Sequence, residues 1–309
     1  MVSNRVLMGL AVVLAVSFPV AAAEPVTASA GKAAPLPFNT IEGVPGAPIT
    51  PMAYLANPGP AGTRVGMPTV SWTGLILGSK SMSTLAVNET FFRRIEVGYA
   101  YSYFWLGSLP NDVRKMGLPD IRDQVELHNL NLRGLVIEED SYGMPLPAVT
   151  LGVHFKHNSG IRQIDRALMG TLGMFGYERA SGFDFTLTAT KTFPELVLGK
   201  PLIVTAGLRN SEAAQIGYLG FGDNRHTTFE GSLGVMPLEK LLLAYEYRQK
   251  KNPYHKIPGL IGREDDWHAL SASYIMSDRV TITGVLGWFG NIANSNADPG
   301  AGLQVKYEF

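Results

Sequence analysis

Charged and polar side chains recur at every second position in many segments of this chain. The alternation places opposite charges on one face, as in Arg94 with Glu96 or Glu246 with Arg248. Such groups, facing each other across a narrow space, either select charged solutes or neutralise one another as buried ion pairs. The sequence leaves both uses open. The candidates on this face are Arg94, Glu96, His154, Lys156, Asp184, Arg209, Glu230, Glu246, Arg248, Lys306 and Glu308.

A second group of acidic residues lies between the alternating segments. Oxygen ligands from neighbouring loops could bind a hard cation such as calcium, but the ligand spacing of a calcium-binding loop is absent. A solvated loop rim accounts for the same residues. We therefore predict an external acidic rim, with no metal site and no cofactor, formed by Asp223, Glu264, Asp265 and Asp266.

Hydrolytic chemistry has weaker support. The chain has six histidines and many serines, but it contains no Gly-x-Ser-x-Gly motif of a nucleophile elbow. His154 falls on the polar face, where it could not reach a lipid substrate. Because no pair of nucleophile and base can be located, we predict that the protein is not an enzyme.

The candidate residues lie in segments that alternate with period two, the pattern of a β-strand with two different faces. The clearest segment runs from Arg94 to Leu106. Large apolar residues fill one of its faces and predict contact with lipid: Ile95, Val97, Tyr99, Tyr101, Tyr103 and Trp105. The opposite face is mostly small and polar, as in the lumen of a barrel.

About twelve strands are predicted, near residues 69–77, 81–88, 94–106, 124–137, 146–157, 181–192, 200–210, 226–236, 240–250, 265–276, 279–289 and 300–309. A phase slip between Leu127 and Leu130 predicts a bulge in the fourth. Connections are short after even strands and mostly long after odd ones, which matches periplasmic turns and external loops. The prediction is an all-β fold, a closed antiparallel transmembrane β-barrel of the outer-membrane type.

The N-terminus predicts export. One positive charge, an apolar run over residues 7–20 and three alanines form a secretory signal peptide, so we assign 1–23 to a signal cleaved near Ala23. Residues 24–66 are rich in proline, glycine and alanine, which predicts an irregular leader that is periplasmic or plugs the lumen. Residues 67–309 would form the barrel.

Composition narrows the possible partners. The chain has no cysteine, which excludes disulfides and thiolate metal sites. Its formal net charge is zero, so no basic surface points to nucleic acid. The expected partners are outer-membrane lipid and lipopolysaccharide, together with small solutes.

The last strand carries a further signal. Apolar and aromatic residues alternate up to the terminal residue: Leu303, Val305, Tyr307 and Phe309. This pattern resembles the C-terminal signal by which outer-membrane barrels are recognised for assembly. We therefore add the barrel assembly machinery to the expected partners and the bacterial outer membrane as the location.

Several short blocks carry a family resemblance. They are Ile41–Gly43, Thr50–Ala53, Asn88–Phe92, Glu96–Ala100, Leu219–Asp223, Glu246–Arg248, Glu264–Trp267 and Gly290–Ala293. Their order and spacing resemble an uncharacterised bacterial family catalogued as domain-of-unknown-function family 3034, over about residues 38–309. The resemblance implies an exported, barrel-like protein. It implies no activity, substrate or catalytic residue.

Two functional hypotheses follow. The first is an outer-membrane pore for small solutes, selected by the charged lumen residues. The alternative is a closed barrel that acts as a surface binding or structural protein through its long external loops. A barrel of about twelve strands lies between side-chain-filled and water-filled sizes, so both remain open at this point.

Overall fold

The alternating segments close into a barrel. The computed structural model describes residues 38–309 except 256, 257 and 259, and within them twelve antiparallel strands form one closed sheet. The strands are β1 Thr69–Leu77, β2 Lys80–Phe91, β3 Ile95–Trp105, β4 Gln124–Ile137, β5 Ala148–Asn158, β6 Ser181–Val197, β7 Lys200–Ala213, β8 Phe221–Leu238, β9 Leu241–Arg248, β10 Trp267–Ile275 and β11 Val280–Trp288, followed by the short hairpin of β12 Asn291–Ile292 and β13 Ser295–Asn296, and by β14 Gly300–Glu308. Strand β14 closes the barrel between β1 and β11.

The predicted fold class is confirmed, and each predicted strand overlaps an observed one. The predicted bulge between Leu127 and Leu130 is wrong. Inward positions continue without a break through Leu127, Asn129 and Asn131, and the irregularity lies between Leu135 and Ile137. Leu127 faces inward because the lumen is apolar at that end, so an apolar residue there does not mark a change of face.

The outer face of the sheet is apolar and the inner face is polar, which is the reverse of the arrangement in a soluble protein. Large apolar side chains stay exposed on the outer face, for example Tyr99, Leu130, Leu151 and Phe185. The inner face is dominated by threonine, asparagine and charged residues, which are buried. An apolar band outside and a polar interior are typical of barrels that span a membrane.

The two ends of the barrel also differ. Short turns join the strands at one end, which we call the short-turn end, and most connections at the other, long-loop end are long. The long loops contain helices α1 (Leu109–Lys115) and α2 (Ile161–Ala167). Among the described residues, no helix is long and apolar enough to cross a membrane.

The long loops fold inward over the barrel mouth. Their apolar side chains pack with the barrel wall at the long-loop end. The buried cluster they form includes Leu109, Val113, Ile161, Ile164, Ile216, Tyr218 and Phe289. Tyr218 stacks on Phe104 of β3, with 4.6 Å between ring centroids. The mouth of the lumen at the long-loop end is therefore covered by apolar groups.

Candidate functional site in the barrel lumen

Residues 38–56 of the predicted leader lie inside the barrel, and most of them are fully buried. They form an irregular segment rather than a strand of the sheet. Phe38 packs with Ile203 and Leu242, near the short-turn end, and the Tyr54 hydroxyl donates to Glu139 there at 2.6 Å. The segment thus enters and leaves the lumen by the same end.

Glu42 reaches the part of the lumen toward the long-loop end, where it meets three basic side chains of the wall. Its carboxylate pairs with Lys156 of β5 and Arg248 of β9, and lies 3.5 Å from Arg209 of β7. The side-chain amides of Asn129 and Asn131 donate to the Glu42 carbonyl oxygen at 3.3 and 3.2 Å. The leader is therefore bound by side chains of four different strands around one residue.

Two wall carboxylates complete this arrangement. Asp184 pairs with Lys156 at 2.6 Å and with Arg209 at 3.2 Å. Glu230 accepts two hydrogen bonds from Arg209, at 3.0 and 3.2 Å, in a bidentate pair. We call the six residues the lumen ion cluster: Glu42, Lys156, Asp184, Arg209, Glu230 and Arg248.

The lumen ion cluster is neutral only with the leader in place. The wall contributes three cations and two carboxylates, and Glu42 supplies the third carboxylate. All six side chains are at most 5% exposed. A buried charge left without a partner costs about 3–5 kcal/mol. Glu42 therefore stabilises the wall by supplying the partner that its third cation lacks.

A second carboxylate of the wall binds the leader through its backbone. Glu246 of β9 accepts hydrogen bonds from the amides of Ile49 and Thr50, at 2.7 and 2.8 Å, and from the Thr50 hydroxyl at 2.9 Å. Glu246 thereby satisfies backbone donors that would otherwise be buried without acceptors.

A third contact lies toward the short-turn end. Glu96 of β3 accepts from the Ala56 amide at 2.7 Å and pairs with Arg133 of β4 at 3.1 Å, while Arg133 also donates to the Met52 carbonyl oxygen. Arg133 is absent from the lumen residues predicted from the sequence, because the supposed phase slip obscured the inner face of β4. The period-two run Asn129, Asn131 and Arg133 is the signal that could have found it.

The other predicted lumen residues have separate positions. His154 lies on the inner face, with Nδ1 2.8 Å from the Asn131 oxygen and Nε2 2.9 Å from the Thr186 hydroxyl. Lys306 pairs with Glu308 at 2.7 Å. Arg94 differs from the prediction: it lies in the turn before β3, where chain curvature points its side chain outward to a half-exposed pair with Glu138.

The predicted acidic rim is divided by the structure. Glu264 is buried rather than on the rim, because it pairs with Lys250 at 3.0 Å and accepts from the Gln215 amide at 2.9 Å. Asp265 accepts from the Asn291 backbone amide, Asp266 from the Tyr247 hydroxyl, and Asp223 from the Asn224 side-chain amide. Across the described part of the chain, no group of three or more His, Cys, Asp or Glu is placed to hold a metal ion.

The residues of the predicted assembly signal lie on the strand that closes the barrel. Strand β14 places Leu303, Val305 and Tyr307 in register with β1, and the Phe309 amide donates to the Pro68 carbonyl oxygen at 3.1 Å. Tyr307 and Phe309 contact each other edge to face, 4.8 Å between centroids. Both aromatics therefore stand at the short-turn end.

A cleft opens at the long-loop end beside the lumen ion cluster. Its volume is about 30 Å³, room for roughly one or two water molecules. It is lined by residues at and just beyond the long-loop ends of β7, β8 and β9, among them Arg209, Glu212, His226, Arg248, Lys250 and Lys251. Arg209 and Arg248 also contact Glu42, so these two side chains separate the cleft from the leader.

Comparison with family models matches residues 37–306 to one family, described as "Protein of unknown function (DUF3034)". The comparison with curated proteins gives no match.

Several solved outer-membrane proteins are similar to the chain at low identity. A KdgM porin is 9% identical, with a TM-score of 0.48 over 78% of this chain and 99% of that one. Omp33 of Acinetobacter baumannii is 8% identical, with a TM-score of 0.45 over 80% and 99%. An outer membrane channel from Pseudomonas putida F1 is 11% identical, with a TM-score of 0.42 over 84% and 100%.

Proposed function

The chain belongs to the DUF3034 family of proteins of unknown function, and we propose that it is an outer-membrane pore for small solutes that its own leader holds closed. The observation that carries the proposal is the position of Glu42, which neutralises the excess positive charge of the lumen wall in the lumen ion cluster. Without the leader, the wall part of the lumen ion cluster has three cations and two carboxylates. Such an uncompensated charge suits a surface that binds or conducts charged solutes.

Placement in the membrane is supported by the outer face. Exposed leucine, valine, tyrosine and phenylalanine side chains surround the sheet, and burying them in lipid removes a large apolar surface from water. Contacts with lipid and lipopolysaccharide follow from this surface. Leu303, Val305, Tyr307 and Phe309 at the closing strand suit recognition by the barrel assembly machinery.

The leader has the properties of a removable occluding segment. It lies outside the hydrogen-bonded sheet, so its departure would leave the strand ladders intact. Because Phe38 and Tyr54 both lie near the short-turn end, the segment can withdraw without being threaded through the barrel. Its polar contacts are with wall residues that water or a solute could satisfy instead.

A liposome-swelling assay tests this function. The mature chain and a variant without residues 24–56 are refolded into vesicles and challenged with arabinose. We expect rapid swelling with the variant and slow swelling with the mature chain. A control lacking only 24–37 keeps every leader contact described above and should stay slow. A deletion variant that is folded by far-UV circular dichroism but still impermeable would contradict the pore.

One observation favours a second candidate. The long loops pack an apolar cluster over the mouth of the lumen, as expected of a closed barrel that acts through its loops. In that case, removing residues 251–264 should abolish the cellular phenotype of the protein, while removing 24–56 should leave it unchanged. If the phenotype survives removal of 251–264 but changes on removal of 24–56, the pore is supported instead.

A further inference from the structure

The cleft at the long-loop end is strongly basic. Four basic side chains line it, Arg209, Arg248, Lys250 and Lys251, against the single lining carboxylate of Glu212. Glu212 is itself paired with Arg179 at 2.6 Å and with Arg225 at 3.1 Å. Three of the four cations have buried acidic partners: Arg209 pairs with Asp184 and Glu230, Arg248 with Glu42, and Lys250 with Glu264. The excess of positive charge at the cleft is therefore carried by Lys251 and by the two arginines around Glu212.

The lining also offers hydrogen-bond donors suited to a carboxylate. A guanidinium presents several N–H groups in a planar fork that can bind a carboxylate through two parallel hydrogen bonds. Ser211, Thr228 and Gln249 add neutral polar groups around the same opening. Neutral or cationic solutes would find no comparable set of partners in these residues.

Two of these side chains face both the cleft and the leader. Arg248 pairs with Glu42, and Arg209 lies 3.5 Å from the same carboxylate. At about 30 Å³ the cleft admits little more than water in this state, so a larger anion must draw the guanidinium groups toward itself. Its entry is then coupled to the loss of the contacts with Glu42.

We propose that the cleft binds a solute bearing carboxylates, and that this anion releases the leader by replacing Glu42 as the partner of Arg209 and Arg248. The inference rests on the pore proposed above, for which it names the solute class and the opening trigger.

Charge balance explains why the trigger must be an anion. If Glu42 left alone, Lys156, Arg209 and Arg248 would face two wall carboxylates in a buried site, which is unfavourable. If an incoming carboxylate takes its place, the lumen ion cluster stays neutral. The exchange of one carboxylate for another is therefore far easier than the simple departure of the leader.

The coupling has a measurable consequence. A ligand that binds only after the leader moves has an apparent affinity lowered by the small fraction of open molecules. Any substitution that weakens the hold on Glu42 should therefore raise the apparent affinity for the anion. By the same linkage, the anion should increase the exposure of the leader.

The experiment uses the mature chain, in which no natural cysteine interferes. Ala47 is fully buried in the lumen, so an Ala47→Cys thiol should react slowly with a maleimide. Citrate is the probe, with sucrose at equal osmolarity and sodium chloride at equal ionic strength as controls. We expect citrate to speed labelling at least fivefold and to saturate, while both controls leave the rate nearly unchanged.

Three further substitutions in the Ala47→Cys background assign the effect to the cleft and check the assay. Lys251→Gln should raise the citrate concentration for half-maximal labelling several-fold. Arg94→Gln, which removes a cation at the opposite end, should leave this concentration unchanged. Glu42→Gln should label fast even without citrate, which shows that the assay detects leader release.

The outcomes separate this inference from the pore itself. Fast labelling of Glu42→Gln together with no response of the parent to citrate would overturn the anion trigger, even if the barrel without 24–56 is permeable. A citrate response that is unaltered in Lys251→Gln would overturn the assignment to the cleft. Citrate-dependent labelling with an impermeable deletion variant would refute the pore and retain the anion site.

Discussion

Glu42 of the leader and Arg248 at the end of β9 form a buried ion pair across 206 positions of sequence. The pair joins an irregular segment to the wall of a closed barrel at the level where the wall has most charge. The same contact therefore holds the segment that closes the lumen and occupies a charged group that a passing solute would meet.

The first prediction concerns the charge of Glu42. In Glu42→Gln the three basic side chains keep only two carboxylate partners, so we expect the free energy of unfolding to fall by about 3–5 kcal/mol. Guanidinium-induced unfolding in detergent micelles, followed by tryptophan fluorescence, measures the change. Glu195→Gln, at an exposed position near a turn, should stay within about 0.5 kcal/mol of the parent. Equal effects of the two substitutions would show that Glu42 is not buried among charges.

The second prediction concerns the backbone contacts of Glu246. Replacement by alanine leaves the amides of Ile49 and Thr50 without an acceptor, at about 1–3 kcal/mol for each buried group. We expect hydrogen exchange across residues 47–52 to accelerate at least tenfold, since about 1.4 kcal/mol corresponds to a factor of ten. Glu246→Gln keeps an acceptor oxygen and should accelerate exchange less. Unchanged exchange in the alanine variant would place the leader elsewhere.

The third prediction concerns ion selectivity. In the barrel without 24–56, Arg209→Gln leaves Asp184 and Glu230 with less positive charge beside them. The reversal potential in a potassium chloride gradient should therefore shift toward cation selectivity. Arg94→Gln in the same background removes a charge outside the lumen and should leave the potential unchanged. Identical shifts for both would mean that ions do not pass the lumen ion cluster.

The fourth prediction concerns the outer face. Leu130 lies in the middle of β4, half exposed, beside Tyr99 of β3. An arginine at a mid-membrane position of a barrel costs about 2–4 kcal/mol, so Leu130→Arg should lower the stability in lipid vesicles by that amount. Met116→Arg, an exposed apolar position in a long loop, serves as the control and should have little effect. A soluble barrel would tolerate both.

Much of the barrel could be predicted because its strands follow a local rule. Each side chain faces out or in according to its place in a period-two pattern, and that pattern is visible in the sequence itself. The rule failed at Leu127, where an apolar side chain faces inward under the folded loops. It also failed at Arg94, because a residue in a turn no longer follows the alternation of the adjoining strand.

The filled lumen could not be derived in the same way. The inward-facing residues Lys156, Arg209 and Arg248 were predictable as a set, but their partner Glu42 lies in a segment without periodicity. Its ion pairs span 114 to 206 positions and form only when three strands have been arranged around a closed barrel. A pairing of this kind depends on the tertiary geometry, which the local pattern of hydrophobic and polar residues does not encode.

Single-channel recording in planar bilayers tests most directly whether the leader closes a conducting lumen. The mature chain and the variant without 24–56 are compared at the same voltages, after both are shown to be folded. We expect the mature chain to be silent or to open rarely, and the variant to conduct continuously. A folded variant that stays silent at every voltage, or a mature chain that conducts as well as the variant, would contradict this claim.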